Sequence, residues 1–136
     1  MQDRPNKTEI LDALATFLMR EVRPQVTDPA LNFRVLIAAN LASIVANEQR
    51  NEDTEDAAQL QRLRMLMPDV QINDQSASHA GRLGAIETLN YELVSRIRAG
   101  KINDTQRAGI WIHLGETLRE KLAVVNPRFD SSPMVE

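Results

Sequence analysis

The stretch DPALNFRVLIAANLASIVANEQRNEDT, Asp28 to Thr54, decides how the rest of the chain is read. Asp28 is a helix-capping residue type, and Pro29 after it suits the first helical position, where a missing amide proton costs nothing. From there Leu31, Phe33, Val35, Leu36, Ile37, Ala38, Ala39, Leu41, Ala42, Ile44, Val45 and Ala46 put apolar side chains around most of a helical circumference. A helix with that pattern is central, because neighbours must cover it on more than one side. The polar run Asn51-Glu52-Asp53-Thr54 then either marks the exposed far end of this helix or interrupts it. We read an interruption, with Asp53 capping a third helix through Ala57, Leu60, Leu63, Leu66 and Met67 that stops at Pro68.

Upstream, Ile10, Leu11, Leu14, Phe17, Leu18 and Val22 recur with the spacing of a helix that buries one face. Asn6 and Glu9 have the separation of a capping box, and Pro24 ends the helix near Val22 or Arg23. Downstream, residues 68–78, PDVQINDQSAS, have turn formers and no helical period, which makes them the longest loop of the chain. A fourth helix runs from about His79 or Ala80 to Ala99 and buries Leu83, Ile86, Leu89, Asn90, Leu93 and Ile97. Gly100 is its left-handed closing residue. A fifth starts after Asn103-Asp104, either of which could cap, and shows Ile110, Trp111, Leu114, Leu118, Leu122 and Val125. With no alternating strand pattern, the expected fold is all-α: a single-domain helical bundle of about five helices around a central apolar second helix. The ordered core is expected over about residues 6–129, with flexible ends at 1–5 and 130–136.

Composition narrows the function. Of 136 residues 43% are hydrophobic but only 4% aromatic, so Leu, Ile, Val, Ala and Met must fill the interior. The absence of cysteine removes disulfides, thiolate metal sites and cysteine nucleophiles. Sixteen basic and nineteen acidic residues are interspersed for a net charge of -3, which gives no footprint for nucleic acid or anionic lipid. The opening Met1 to Lys7 carries polar residues where a signal peptide would need an apolar run, no stretch approaches the ~20 apolar residues of a membrane span, and the expected compartment is the cytoplasm.

Catalytic chemistry finds little material. The only histidines are His79 and His113, and neither has a Glu three residues before it, so a di-iron bundle site is not expected. His79 near a helix start is expected to be solvated, and His113 to be exposed or at the bundle edge. No phosphate-binding Gly loop, G-x-S-x-G elbow, H-E-x-x-H or kinase motif occurs. We expect no catalytic residues, no metal and no cofactor.

Three segments carry a resemblance: RPNKTEILDALATFLMREV at Arg4 to Val22, FRVLIAANLASIVANE at Phe33 to Glu48, and KLAVVNPRF at Lys121 to Phe129. With the helix spacing between them, the chain resembles a family of small bacterial all-helical domains of unknown function. These are found beside or fused to aminoglycoside-phosphotransferase-like kinases and near acyl-CoA dehydrogenases. The resemblance implies an accessory role beside such a kinase or acyl-CoA enzyme and supplies no activity. Where that family often carries a His and an Arg ahead of Ala-Ala-Asn, this chain has Arg34 and Leu36, so no role of that pair carries over.

The candidate binding residues are Asn40, Tyr91, Trp111, Asn126, Arg128 and Phe129. Asn40 sits in the stripe Phe33, Ile37, Leu41, Ile44, where a buried amide must find partners or cost ~1 to 3 kcal/mol. Asn126 and Pro127 end the last helix, leaving Phe129 to fold back on apolar surface and Arg128 to pair with a carboxylate or helix C-terminus, or leaving both as a partner-binding hook. Trp111 four residues before Gly115, with Gly109 nearby, suggests a tight helix crossing or a groove shared with Tyr91. Two functions follow. One is an interaction module with a protein partner or a second copy; the other is a small-molecule site between helices lined by Asn40, Tyr91, Trp111 and Arg128.

Overall fold

The computed structural model describes residues 4–72 and 78–127, and among them it is helical with no strand. Helix α1 spans Lys7–Phe17 and continues through a π turn, Leu18–Val22, into a 3-10 turn, Arg23–Gln25. Helices α2, Pro29–Leu66, α3, His79–Arg98, and α4, Asp104–Val125, follow. Among the described residues there are four helices rather than five, because α2 runs unbroken through Asn51-Glu52-Asp53-Thr54. That run is polar but holds neither Gly nor Pro, and exposed polar side chains do not oppose a helical backbone that is already propagating. Asp53 caps nothing there; its carboxylate is bound by Arg82 of α3.

The chain forms two compact units that divide between Asn51 and Glu52. In the first, the starts of both helices are fixed locally. Asn6 Oδ1 accepts from the Glu9 amide at 2.9 Å and Glu9 Oε2 accepts from the Asn6 amide at 2.8 Å, completing the capping box read from the sequence. Asp28 Oδ2 accepts from the Leu31 amide at 2.9 Å. Asn32 then pins the entering turn to α2, donating to the Arg23 carbonyl at 3.0 Å and accepting from Arg23 Nε at 3.0 Å. Among the described residues, the buried ones of this unit are alanines, Ala15 in α1 and Ala39, Ala42 and Ala46 in α2. Arg50 of α2 pairs with Asp12 of α1. The large apolar residues expected inside lie outside: Phe33, Ile37 and Leu41 are exposed, and Ile10, Leu14 and Phe17 of α1 are exposed as well.

In the second unit Leu60, Leu63 and Met67 of α2 meet Ala85, Ile86, Leu89 and Leu93 of α3 and Ile110 of α4, with Val70, Ile72 and Ile102 packed around them. Pro68 ends α2 as expected. Ser78 Oγ caps α3 by accepting from the Gly81 amide at 3.1 Å. At the other end Gly100 takes φ +67, the Lys101 amide donates to the Arg96 carbonyl at 2.9 Å and the Gly100 amide to the Ile97 carbonyl at 3.1 Å. These two bonds are the Schellman closure, and its left-handed residue is why a glycine stands there. Asn103, not Asp104, caps α4, in a reciprocal box with Gln106 at 2.8 and 3.1 Å. Leu83 and Ile97, expected inside, are exposed.

The two interior glycines of α4 differ. A Cβ on Gly109 would come within 2.7 Å of Leu66 Cδ2, so α2 and α4 pass closely there. A Cβ on Gly115 meets nothing within 4 Å, which removes the tight crossing expected at that residue.

By length and composition α2 is also apolar enough to cross a membrane, a test that core helices of soluble proteins pass too. No stretch of this kind was expected from the sequence.

Candidate interaction surfaces

Helix α2 has two faces within the first unit. Ala39, Ala42 and Ala46 recur at three and four residues and are buried. On the opposite side Phe33, Ile37, Leu41 and Val45 recur every four residues and are 61%, 42%, 56% and 47% exposed. This is why the helix reads as apolar all round although its fully buried residues in this unit are small ones, with Ile44 half-buried. Asn40 is exposed. The expectation of a buried amide in need of partners is thereby corrected, since water can satisfy it.

The second unit holds a groove of about 960 Å³ lined by Leu83, Ile86, Tyr91 and Val94 of α3, with Asp56 of α2 and Lys121 of α4 at its polar edges. Tyr91 is 82% exposed. Trp111, 70% exposed on α4, is not among the residues lining this groove, so the two aromatics do not share it. Trp111 instead heads a second exposed stripe of α4, Trp111, Leu114, Leu118 and Val125, which runs beside buried Ile110. Asn40 belongs to the first unit and Tyr91 and Trp111 to the second.

The polar interior of the second unit was not foreseen. Arg62 of α2 donates to both carboxylate oxygens of Glu120 on α4, at 2.8 and 2.6 Å, and lies 3.4 Å from Thr117 Oγ1. Beside this pair His113 is buried, at 3% exposure, where an exposed or edge position was expected. Its position follows from Ile110 three residues earlier, which shares its helical face. Burial holds the His113 imidazole below its usual pKa, the Arg62 charge adds to the effect, and Glu120 opposes it. His113 Nδ1 has no hydrogen-bond partner. Burial, then the charges of Glu120 and Asp56, raises the carboxyl of Glu55. His79, at the first position of α3, is near two carboxylates, with Nδ1 3.4 Å from Asp56 and Nε2 4.0 Å from Glu52. Among the described residues no group of three or more His, Asp or Glu could hold a metal ion.

Asn126 caps the end of α4, with its amide 2.7 Å from the Leu122 carbonyl. Arg128 and Phe129, and the loop positions 73–77, lie outside the described residues. What the described surfaces offer chemically is apolar area rimmed by single charges.

The family model described as Domain of unknown function (DUF6285) matches residues 24–129. The match takes in two of the three segments that carried the resemblance and begins after the first. None of the curated proteins and none of the solved structures matches the chain.

Proposed function

The chain belongs to the DUF6285 family, whose description states no activity, and on that premise we propose a non-catalytic helical interaction module. The observation that carries this reading is the exposed stripe Phe33, Ile37, Leu41, Val45 on the side of α2 opposite its buried alanines. Scattered surface hydrophobics need no explanation, but an aligned set of four large residues on one helical face marks a surface that another surface covers. Two large residues of this kind buried at the centre of a contact supply much of its free energy, with the surroundings excluding water. The family resemblance supports a phosphotransferase-like kinase or an acyl-CoA enzyme as the partner class, in the cytoplasm of a bacterium.

The test is affinity capture from the native host with the full chain and its Leu41→Glu variant as baits. The reading expects a partner retained by the first and lost by the second. Identical capture by both baits, with a monomer in small-angle scattering, defeats it.

A second reading is favoured by the groove beside Tyr91, whose size and apolar wall suit a small molecule. Its test is thermal shift of the protein against acyl-CoAs, nucleotides and aminoglycosides, repeated with Tyr91→Ala. A shift lost in the variant supports it, and no shift with any of the three classes removes it.

A further inference from the structure

We propose that two copies of this chain pair through the exposed stripe of α2, antiparallel about Leu41, with Arg34 of each copy facing Glu48 of the other. The proposal rests on the interaction-module reading and names the occupant of the stripe.

The argument is one of charge placement. Arg34 and Glu48 are both exposed, and the residues between them, 35–47, carry no charge. Each stands seven residues from Leu41, so each points within about 20° of the Leu41 direction and lies about 10 Å from it along the axis. The stripe is therefore an apolar segment with a cation at one end and an anion at the other, equidistant from its middle.

A surface of that kind is complementary to itself only when turned end for end. In an isologous pair with its two-fold axis at Leu41, Leu41 meets Leu41, Ile37 meets Val45, and both ends bring opposite charges together. A parallel pair would set Arg34 against Arg34 and Glu48 against Glu48, which complementary interfaces avoid. The four-residue recurrence of Phe33, Ile37, Leu41 and Val45 also forms the ridge that packs into the matching groove of an identical helix. An unrelated partner would have no need of charges placed symmetrically about the centre.

The experiment is sedimentation equilibrium of the full chain from micromolar to about 100 μM, with circular dichroism as the folding control. Wild type is expected to be dimeric, and Leu41→Glu monomeric with unchanged helix content. Arg34→Glu, which sets two anions together at each end, should raise the dimer Kd about tenfold or more, and Arg34→Glu/Glu48→Arg should return it to within about threefold of wild type.

A wild-type monomer at the highest concentration overturns the proposal, as does a dimer that Leu41→Glu leaves intact. A double variant that fails to recover, or an Arg34→Glu variant with unchanged Kd, rejects the antiparallel register. Co-sedimentation of a monomeric wild type with phosphatidylglycerol and phosphatidylcholine vesicles assigns the stripe to lipid and also overturns it. The interaction-module reading survives a monomeric wild type if Leu41→Glu still abolishes capture of a host protein, so the two can fail separately.

Discussion

The two terminal nitrogens of Arg62 meet both carboxylate oxygens of Glu120, and this bidentate pair fastens α2 to α4 on largely covered ground, with side-chain exposures of 17% and 22%. Truncating one partner strands the other's charge where water reaches it poorly. Arg62→Ala is expected to lower unfolding stability in urea by about 2 to 3 kcal/mol, below the range for a fully buried pair because some solvent remains. Glu120→Gln keeps an acceptor and should cost about 1 kcal/mol. Equal small losses in both variants would show that the pair contributes little.

His113 gives stability a pH dependence. Its folded pKa lies below the unfolded value near 6.5, so the unfolded chain takes up the proton first as pH falls. The stability tied to its neutral form is complete above about pH 6.5 and is lost as acid carries the solution down through the folded pKa. Glu55 works the other way: its raised pKa means that the folded state takes up that proton more readily, which favours folding at lower pH. Urea midpoints of wild type and His113→Leu, compared from pH 7.5 to 5, isolate the histidine. The wild type is expected to lose midpoint over this range more steeply than the variant.

Gly109 and Gly115 make opposite predictions from the same substitution. Gly115→Ala adds a methyl to open space and removes glycine's backbone freedom, so it should stabilise by up to about 1 kcal/mol. Gly109→Ala gains the same propensity but drives its methyl toward Leu66 Cδ2, and overpacking of about 1 to 3 kcal/mol should cancel or reverse the gain. Thermal melts of the two variants check this; a higher Tm for Gly109→Ala would mean that Leu66 moves aside freely.

The sequence announced what is decided within a few residues. Asn6, Asp28, Asn103 and Gly100 each act on amides or carbonyls at most four positions away, and each stands where its residue type suggested. The run at Asn51 to Thr54 was misread because polar residues look like punctuation, whereas a helix ends only where backbone bonding fails or a better local partner appears. Faces were harder. In α2 and α4 apolar residues lie on two sides, and periodicity selects the side with the larger side chains: Phe33, Ile37 and Leu41 in one, Trp111, Leu114 and Leu118 in the other. The structure buries the alanine side of α2, and in α4 it buries Ile110, which belonged to the expected stripe, together with His113, while Trp111, Leu114 and Leu118 stay exposed. Arg62 and Glu120 are 58 positions apart, and nothing local signals that they meet. Of the candidate residues, Tyr91 lines a groove, while Asn40 and Trp111 stand exposed elsewhere.

The connection from Arg98 to Asp104 has its own temporal meaning. Five intervening residues carry both a Schellman closure and a capping box, so this turn is specified before any distant contact forms and closes at low entropic cost. Leu89, Leu93 and Ile110, which pack together across this turn, are therefore expected to gain amide protection earlier in pulse-labelled hydrogen exchange than Ala39 and Ala46. Gly100→Ala, strained at its positive φ by about 1 kcal/mol, should slow refolding more than it speeds unfolding, making one glycine the pacemaker of assembly.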